Sequence, residues 1–118
     1  MASAIFEEPG FRVLKQEGRG EGTLVLKLEG SCTSLDFLSN VERIEKIIRG
    51  LPESAVVLDV SELDYVNSRF ISLLVLLTGS KKRIALHHPS RMLRDLLAVV
   101  GIIDWFELIL PEGPGTEA

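Results

Sequence analysis

Residues 55–60 read Ala-Val-Val-Leu-Asp-Val, a short and nearly continuous apolar run rich in β-branched side chains. A run of this kind is the signature of a strand covered on both flanks within its sheet. What surrounds it narrows the choice further. Upstream, Leu35, Leu38, Val41, Ile44 and Ile48 recur at helical steps, with Phe37 and Ile47 widening the stripe. Thr33 or Ser34 can cap the start of that helix, and Gly50 and Pro52 end it. Downstream, the apolar stretch from Phe70 to Leu77 reads as a second helix, stopped at Gly79. An interior strand set between two helices commits the chain to an α/β class with parallel connections.

The remaining segments extend the same pattern. Phe11 and Val13 alternate with Arg12 and Leu14, and after Glu-Gly-Arg-Gly-Glu-Gly the alternation resumes with Leu24, Leu26 and Leu28. Two strands joined by a glycine-rich turn fit this spacing. Arg83 to His88 reads as a strand ended by Pro89, Ser90 can cap a helix over Arg91 to Gly101, and Trp105 to Leu110 closes as a last strand. The expected order is strand, strand, helix, strand, helix, strand, helix, strand. Short right-handed crossovers then give a two-layer domain: a mixed, mostly parallel sheet with helices mainly on one face.

With 118 residues, of which 46% are hydrophobic, the chain has the size and core of one domain, expected over 1–110 with a flexible tail at 111–118. A net charge of −4 gives no basic field for phosphates, so nucleic acid and anionic membrane are poor partners. Cys32 is the one cysteine, which excludes an internal disulfide and fits a reducing compartment, the cytoplasm. The apolar runs Leu73–Leu77 and Leu96–Val100 fall far below the ~20 residues of a membrane helix, so no membrane insertion is expected.

Three markers in sequence, Val-Val-Leu-Asp-Val-Ser-Glu-Leu-Asp-Tyr-Val-Asn-Ser from Val56 to Ser68, the apolar helix after it, and Leu96 to Leu108 with Gly101, Ile102 and Phe106, resemble the STAS domain, the family of sulfate transporters and anti-sigma-factor antagonists. The resemblance covers roughly residues 10 to 110. It implies a bacterial, non-catalytic binding module that needs no cofactor. In the antagonist branch a switch-protein kinase phosphorylates the second hydroxyl residue of an Asp-Ser-Ser/Thr-Gly junction, and affinity for partners changes. Phosphate there adds about two charges to a docking surface while the helix N-terminus stabilises it.

This chain departs from that junction. Asn67 aligns with the aspartate, Ser68 with the first hydroxyl, Arg69 with the usual acceptor and Phe70 with the glycine. After the second strand the family's Gly-x-Leu/Ile-Asp is replaced by Gly30-Ser31-Cys32-Thr33. Ser68 is thus the remaining candidate phosphoacceptor, and the expected partner-binding residues are Asn67, Ser68, Arg69 and Phe70 together with Ser31 and Thr33. The resemblance implies as partner an anti-sigma factor or kinase-like protein, or a subunit of a membrane transport complex that the chain would serve as a soluble accessory. A small-ligand or nucleotide module is the third reading, with no phosphate loop to support it.

Each marked residue also has a plainer reading. Asn67 or Ser68 can simply cap the helix, and Arg69 can be a solvated cation, although in the first turn it opposes the helix dipole. Asp59 and Asp64 have no nucleophile or base beside them in sequence, so catalysis is not expected. His87 and His88, adjacent on a strand, should point to opposite faces and form no metal site. Lys81-Lys82-Arg83 reads as a solvated cap to a helix C-terminus, and Gly18–Gly22 as a hairpin turn. Because the helix from Phe70 to Leu77 is apolar almost all round, it should be buried, and any side left uncovered would be a docking or homodimer patch.

Overall fold

A computed structural model of the chain describes residues 3–16, 22–31, 37–65 and 68–110. Its elements run β1 (Ser3–Glu8), β2 (Phe11–Gln16), β3 (Thr23–Ser31), α1 (Phe37–Arg49), β4 (Ala55–Tyr65), α2 (Ser68–Thr78), β5 (Arg83–His87), α3 (Arg91–Val99), a 3-10 turn (Ile103–Trp105) and β6 (Glu107–Ile109). The six strands lie in sequence order across one sheet. β1, β2 and β3 pair antiparallel, and β3 to β6 pair parallel. A sheet that grows in one direction through right-handed crossovers must carry its helices on one face.

Burial along the strands shows that face. Leu24, Leu26 and Leu28 of β3, Val56, Leu58 and Val60 of β4, and Ile84 and Leu86 of β5 join one core with Ile44, Phe70, Leu74 and Leu97 of the helices. The residues between them, Lys27, Asp59 and His87 among others, are half-buried on the opposite, helix-free face. There Arg12 Nε donates to Glu29 Oε1 at 2.7 Å across the β2–β3 pair. The expected two-layer α/β domain is therefore the observed one.

Sequence periodicity missed one strand. β1 contributes only Phe6 to the buried core, and a register shift between Ala4 and Phe6 breaks the alternation that would have marked it. Tertiary contacts hold it: Asn40 Nδ2 donates to Glu8 Oε1 at 3.2 Å, and the Arg43 guanidinium lies 5.8 Å over the Phe6 ring. β4 is also longer than its apolar core, because Ser61 to Tyr65 continue beside β3 after β5 has ended. The loop expected over Gly18–Gly22 lies outside the described residues except for Gly22, as do Thr33, Ser34 and the tail at 111–118.

α3 shows why its boundaries were readable. Ser90 Oγ accepts from Leu93 N at 3.1 Å. At the other end Gly101, at φ 82°, donates to Ala98 O, and Ile102 N donates to Leu97 O at 3.0 Å. This is the paired left-handed stop in which glycine carries the positive φ while buried Ile102 and Leu97 meet. Ser90→Ala should lower stability by about 1 kcal/mol, read from the urea midpoint, with no change in the fold. The cation run behaves differently from its expected reading: Lys82 Nζ donates to the carbonyls of Leu51, at 2.8 Å, and Glu53. Lys82 thus ties the α1–β4 connection to the α2–β5 connection rather than capping α2.

Candidate functional site

The described ends of β3 and β4 and the start of α2 mark the end of the sheet where these parallel strands finish. Ser31, the last residue of β3, is the register partner of Tyr65, the last residue of β4. α2 then opens at Ser68. On the far side of β3 the β1–β2 turn closes in, with Ser31 N donating to Gly10 O at 2.8 Å. Gly30, at φ 110°, makes this approach possible, since a Cβ there would stand 2.0 Å from Gly10 O. The backbone bond and the glycine together fix the end of β3 against the β1–β2 turn. The segments around Ser31 and Ser68 therefore leave the same end, as the topology implied.

The candidate residues fare differently within that frame. Ser68 is exposed at the first position of α2, and its carbonyl accepts from Ser72 Oγ at 3.1 Å. Arg69 is half-buried and engaged with another group of the chain, so it is not the freely solvated cation of the plainer reading. Phe70 is 0% exposed and belongs to the core. As a contact residue it is thereby corrected: enclosed by core side chains, it positions the first turn of α2 instead of touching a partner. Ser31 is half-buried. Asn67 and Thr33 lie outside the described residues, as does the side chain of Asp64.

α2 is not buried all round. Phe70, Leu73, Leu74 and Leu77 form its inner stripe, whereas Val75 and Leu76 are 41% and 38% exposed. Ser68, Ser72, Val75 and Leu76 recur at positions i, i+4, i+7 and i+8, one continuous outer face running from the junction down the helix. Two clefts lie elsewhere. One of about 690 Å³ sits at the start of β4 and β5 against Trp105, and one of about 730 Å³ at the β1–β2 turn; neither is lined by Ser68 or Arg69.

The histidine pair overturns its expected geometry. His88 has φ 59°, which ends strand alternation and folds its ring back onto that of His87, with centroids 3.8 Å apart and planes at 24°. Both therefore lie together, and Asp59 is the β4 register partner of His87. A sequence rule for adjacent strand residues could not find this, because the rule assumes extended backbone at both positions and His88 departs from it.

The sequence profile of the family described as Mlab, STAS domain, matches residues 16–111. Among solved structures the fold is similar to an anti-sigma factor antagonist from Mycobacterium paratuberculosis, with a TM-score of 0.64, 14% identity, and coverage of 82% of this chain and 85% of that one. It is also similar to the anti-sigma factor antagonist SpoIIAA in its unphosphorylated form, with a TM-score of 0.59, 19% identity, and coverage of 83% and 90%. The phosphorylated Bacillus cell fate determinant SpoIIAA gives a TM-score of 0.57 at 19% identity, covering 83% of this chain and 93% of that one. No curated protein matches. At these identities the solved structures support the shared fold. Among the described residues no helix is long and apolar enough to cross a membrane.

Proposed function

The chain belongs to the STAS domain family, and from that premise we propose that it is a non-catalytic regulatory module that docks a protein partner on the β4–α2 junction and the outer face of α2. The observation that carries this reading is the continuity of exposed Ser68 and Ser72 with exposed Val75 and Leu76 on one helix face. A convex face with polar groups at one end and aliphatic groups at the other suits a protein surface. Small molecules take concave sites, and both clefts lie away from this face. The partner is of the anti-sigma-factor or switch-kinase class. A subunit of a membrane transport complex is the second reading, favoured by Arg69 at the position where the antagonist branch carries its acceptor hydroxyl.

The partner is to be isolated on the wild-type chain from the native host, identified by mass spectrometry, and titrated against wild type and Arg69→Glu. Reversing the charge in the first turn should weaken binding by about tenfold or more, ~1.4 kcal/mol. Unchanged affinity would place the docking surface elsewhere.

The same reading makes the module constitutive. Arg69 has no hydroxyl, and Ser68 lies about 100° around the helix from it, so a kinase built for the usual register meets the wrong side chain. Phosphopeptide analysis of protein from its own host should find no stoichiometric phosphate at Ser68 under any growth condition. Phosphate there that vanishes in Ser68→Ala and alters affinity would show instead that the switch persists in a shifted register, with Arg69 able to pair with it.

A further inference from the structure

On the helix-free face, where β5 ends, three side chains offer nitrogen and oxygen donors to one point. Ligand atoms of Asp59, His87 and His88 all lie within 4.8 Å of one another, and all three residues are half-buried. We propose that they form a binding site for a divalent transition cation, zinc above all, separate from the docking face.

The backbone around the cluster is built to bring these donors together. Asp59 and His87 are register partners in the parallel β4–β5 pair, so their side chains leave the same face of the sheet. His88 would normally point the other way; its left-handed φ of 59° returns the ring to His87. That conformation is unusual for a residue with a Cβ, and it is held by His88 N donating to Ile109 O of β6 at 2.8 Å. The carboxylate is oriented as well, since Asp59 Oδ1 accepts from Ser61 N at 3.1 Å and Ser61 Oγ at 2.7 Å. Hydrogen bonds of this kind to a ligating carboxylate fix its direction and support metal affinity. The neighbouring cation does not occupy the place: Lys27, register partner of Asp59 on β3, has its Nζ 3.8 Å from Glu29 Oε2.

The donor set selects the ion. Two imidazoles and one carboxylate suit zinc and its transition-metal neighbours, whereas magnesium and calcium require oxygen shells. Three protein ligands with a remaining position open to water is an ordinary zinc arrangement. Zinc–nitrogen distances of about 2.0–2.1 Å require the ligands to draw in and the stacked rings to splay, because each ring nitrogen must aim its in-plane lone pair at the ion. Both rings belong to half-buried residues beside the sheet face that carries no helix.

The full chain, stripped of metal, is titrated with zinc chloride by calorimetry, alongside Asp59→Asn, His87→Ala, His88→Gly and, as a control for the thiol, Cys32→Ser. His88→Gly keeps the positive φ without strain, so its folding is not at risk. The expected result is one equivalent bound by wild type and Cys32→Ser, about tenfold or greater weakening in each of the other three variants, and no competition from a large excess of magnesium. Cobalt substituted for zinc should give a visible absorption spectrum that His88→Gly alters. Absence of zinc binding by wild type, or binding by His88→Gly and Asp59→Asn as tight as that of wild type, overturns the site.

Discussion

Phe70→Ala should be among the most damaging single changes in the chain, lowering stability by about 3–5 kcal/mol. The ring is fully enclosed, and the side chains that surround it, with Leu73, Leu74 and Leu77 on the same helix face, belong to the one core shared by sheet and helices. Truncation removes the transfer energy of the ring and leaves a cavity that close-packed strands can fill only in part. A domain of this size has a total stability of roughly 5–15 kcal/mol, so the urea midpoint should fall by about a fifth or more. Ser72→Ala, exposed on the outer face of the same helix, should stay within ~0.5 kcal/mol. A loss below about 1 kcal/mol in Phe70→Ala would mean that the ring is not in the core. Because Phe70 holds the turn that carries Ser68 and Arg69, the variant should also lose partner affinity without altering a contact.

Gly30→Ala should be comparably severe for a different reason. The added Cβ would meet Gly10 O at 2.0 Å, Gly10 C at 2.8 Å and Phe11 Cα at 3.0 Å, all backbone atoms that cannot turn aside. The φ of 110° is also one that an alanine resists. Relief requires the β1–β2 turn to move away, which breaks the Ser31–Gly10 hydrogen bond and shifts the exit of β3. We expect more than about 3 kcal/mol of lost stability. Gly101→Ala provides the contrast. Its φ is 82° but nothing lies within 4 Å of the added Cβ, so the cost should be the backbone term alone, about 1–2 kcal/mol. Equal effects of the two substitutions would refute the close approach at Gly30.

These cases show what the sequence carried and what it did not. β4, α2 and α3 were legible because each satisfies a local rule: a β-branched apolar run, a dense apolar helix, and a serine and glycine at the two ends of α3. β1 was not, since its strand exists through pairing with β2 and contacts to α1, with only Phe6 in the buried core to announce it. Lys82 was read as a solvated cation because its carbonyl partners are about thirty positions away in the chain. The site divides in the same way. Placing Ser31 and Ser68 at one end of the sheet needed only the topology. Knowing that Phe70 faces inward, that Val75 and Leu76 face outward, and that His88 turns back on His87 required the packed molecule.

Docking on the β4–α2 junction and the outer face of α2 is tested most directly by amide hydrogen exchange on the chain alone and in complex with its isolated partner. Slower exchange on binding should concentrate in peptides covering Ser68 to Leu76 and the Gly30–Ser31 end of β3, and peptides over β5 should exchange unchanged. Protection confined to β5 or to α3, with peptides over Ser68 to Leu76 unaffected, would contradict the assignment.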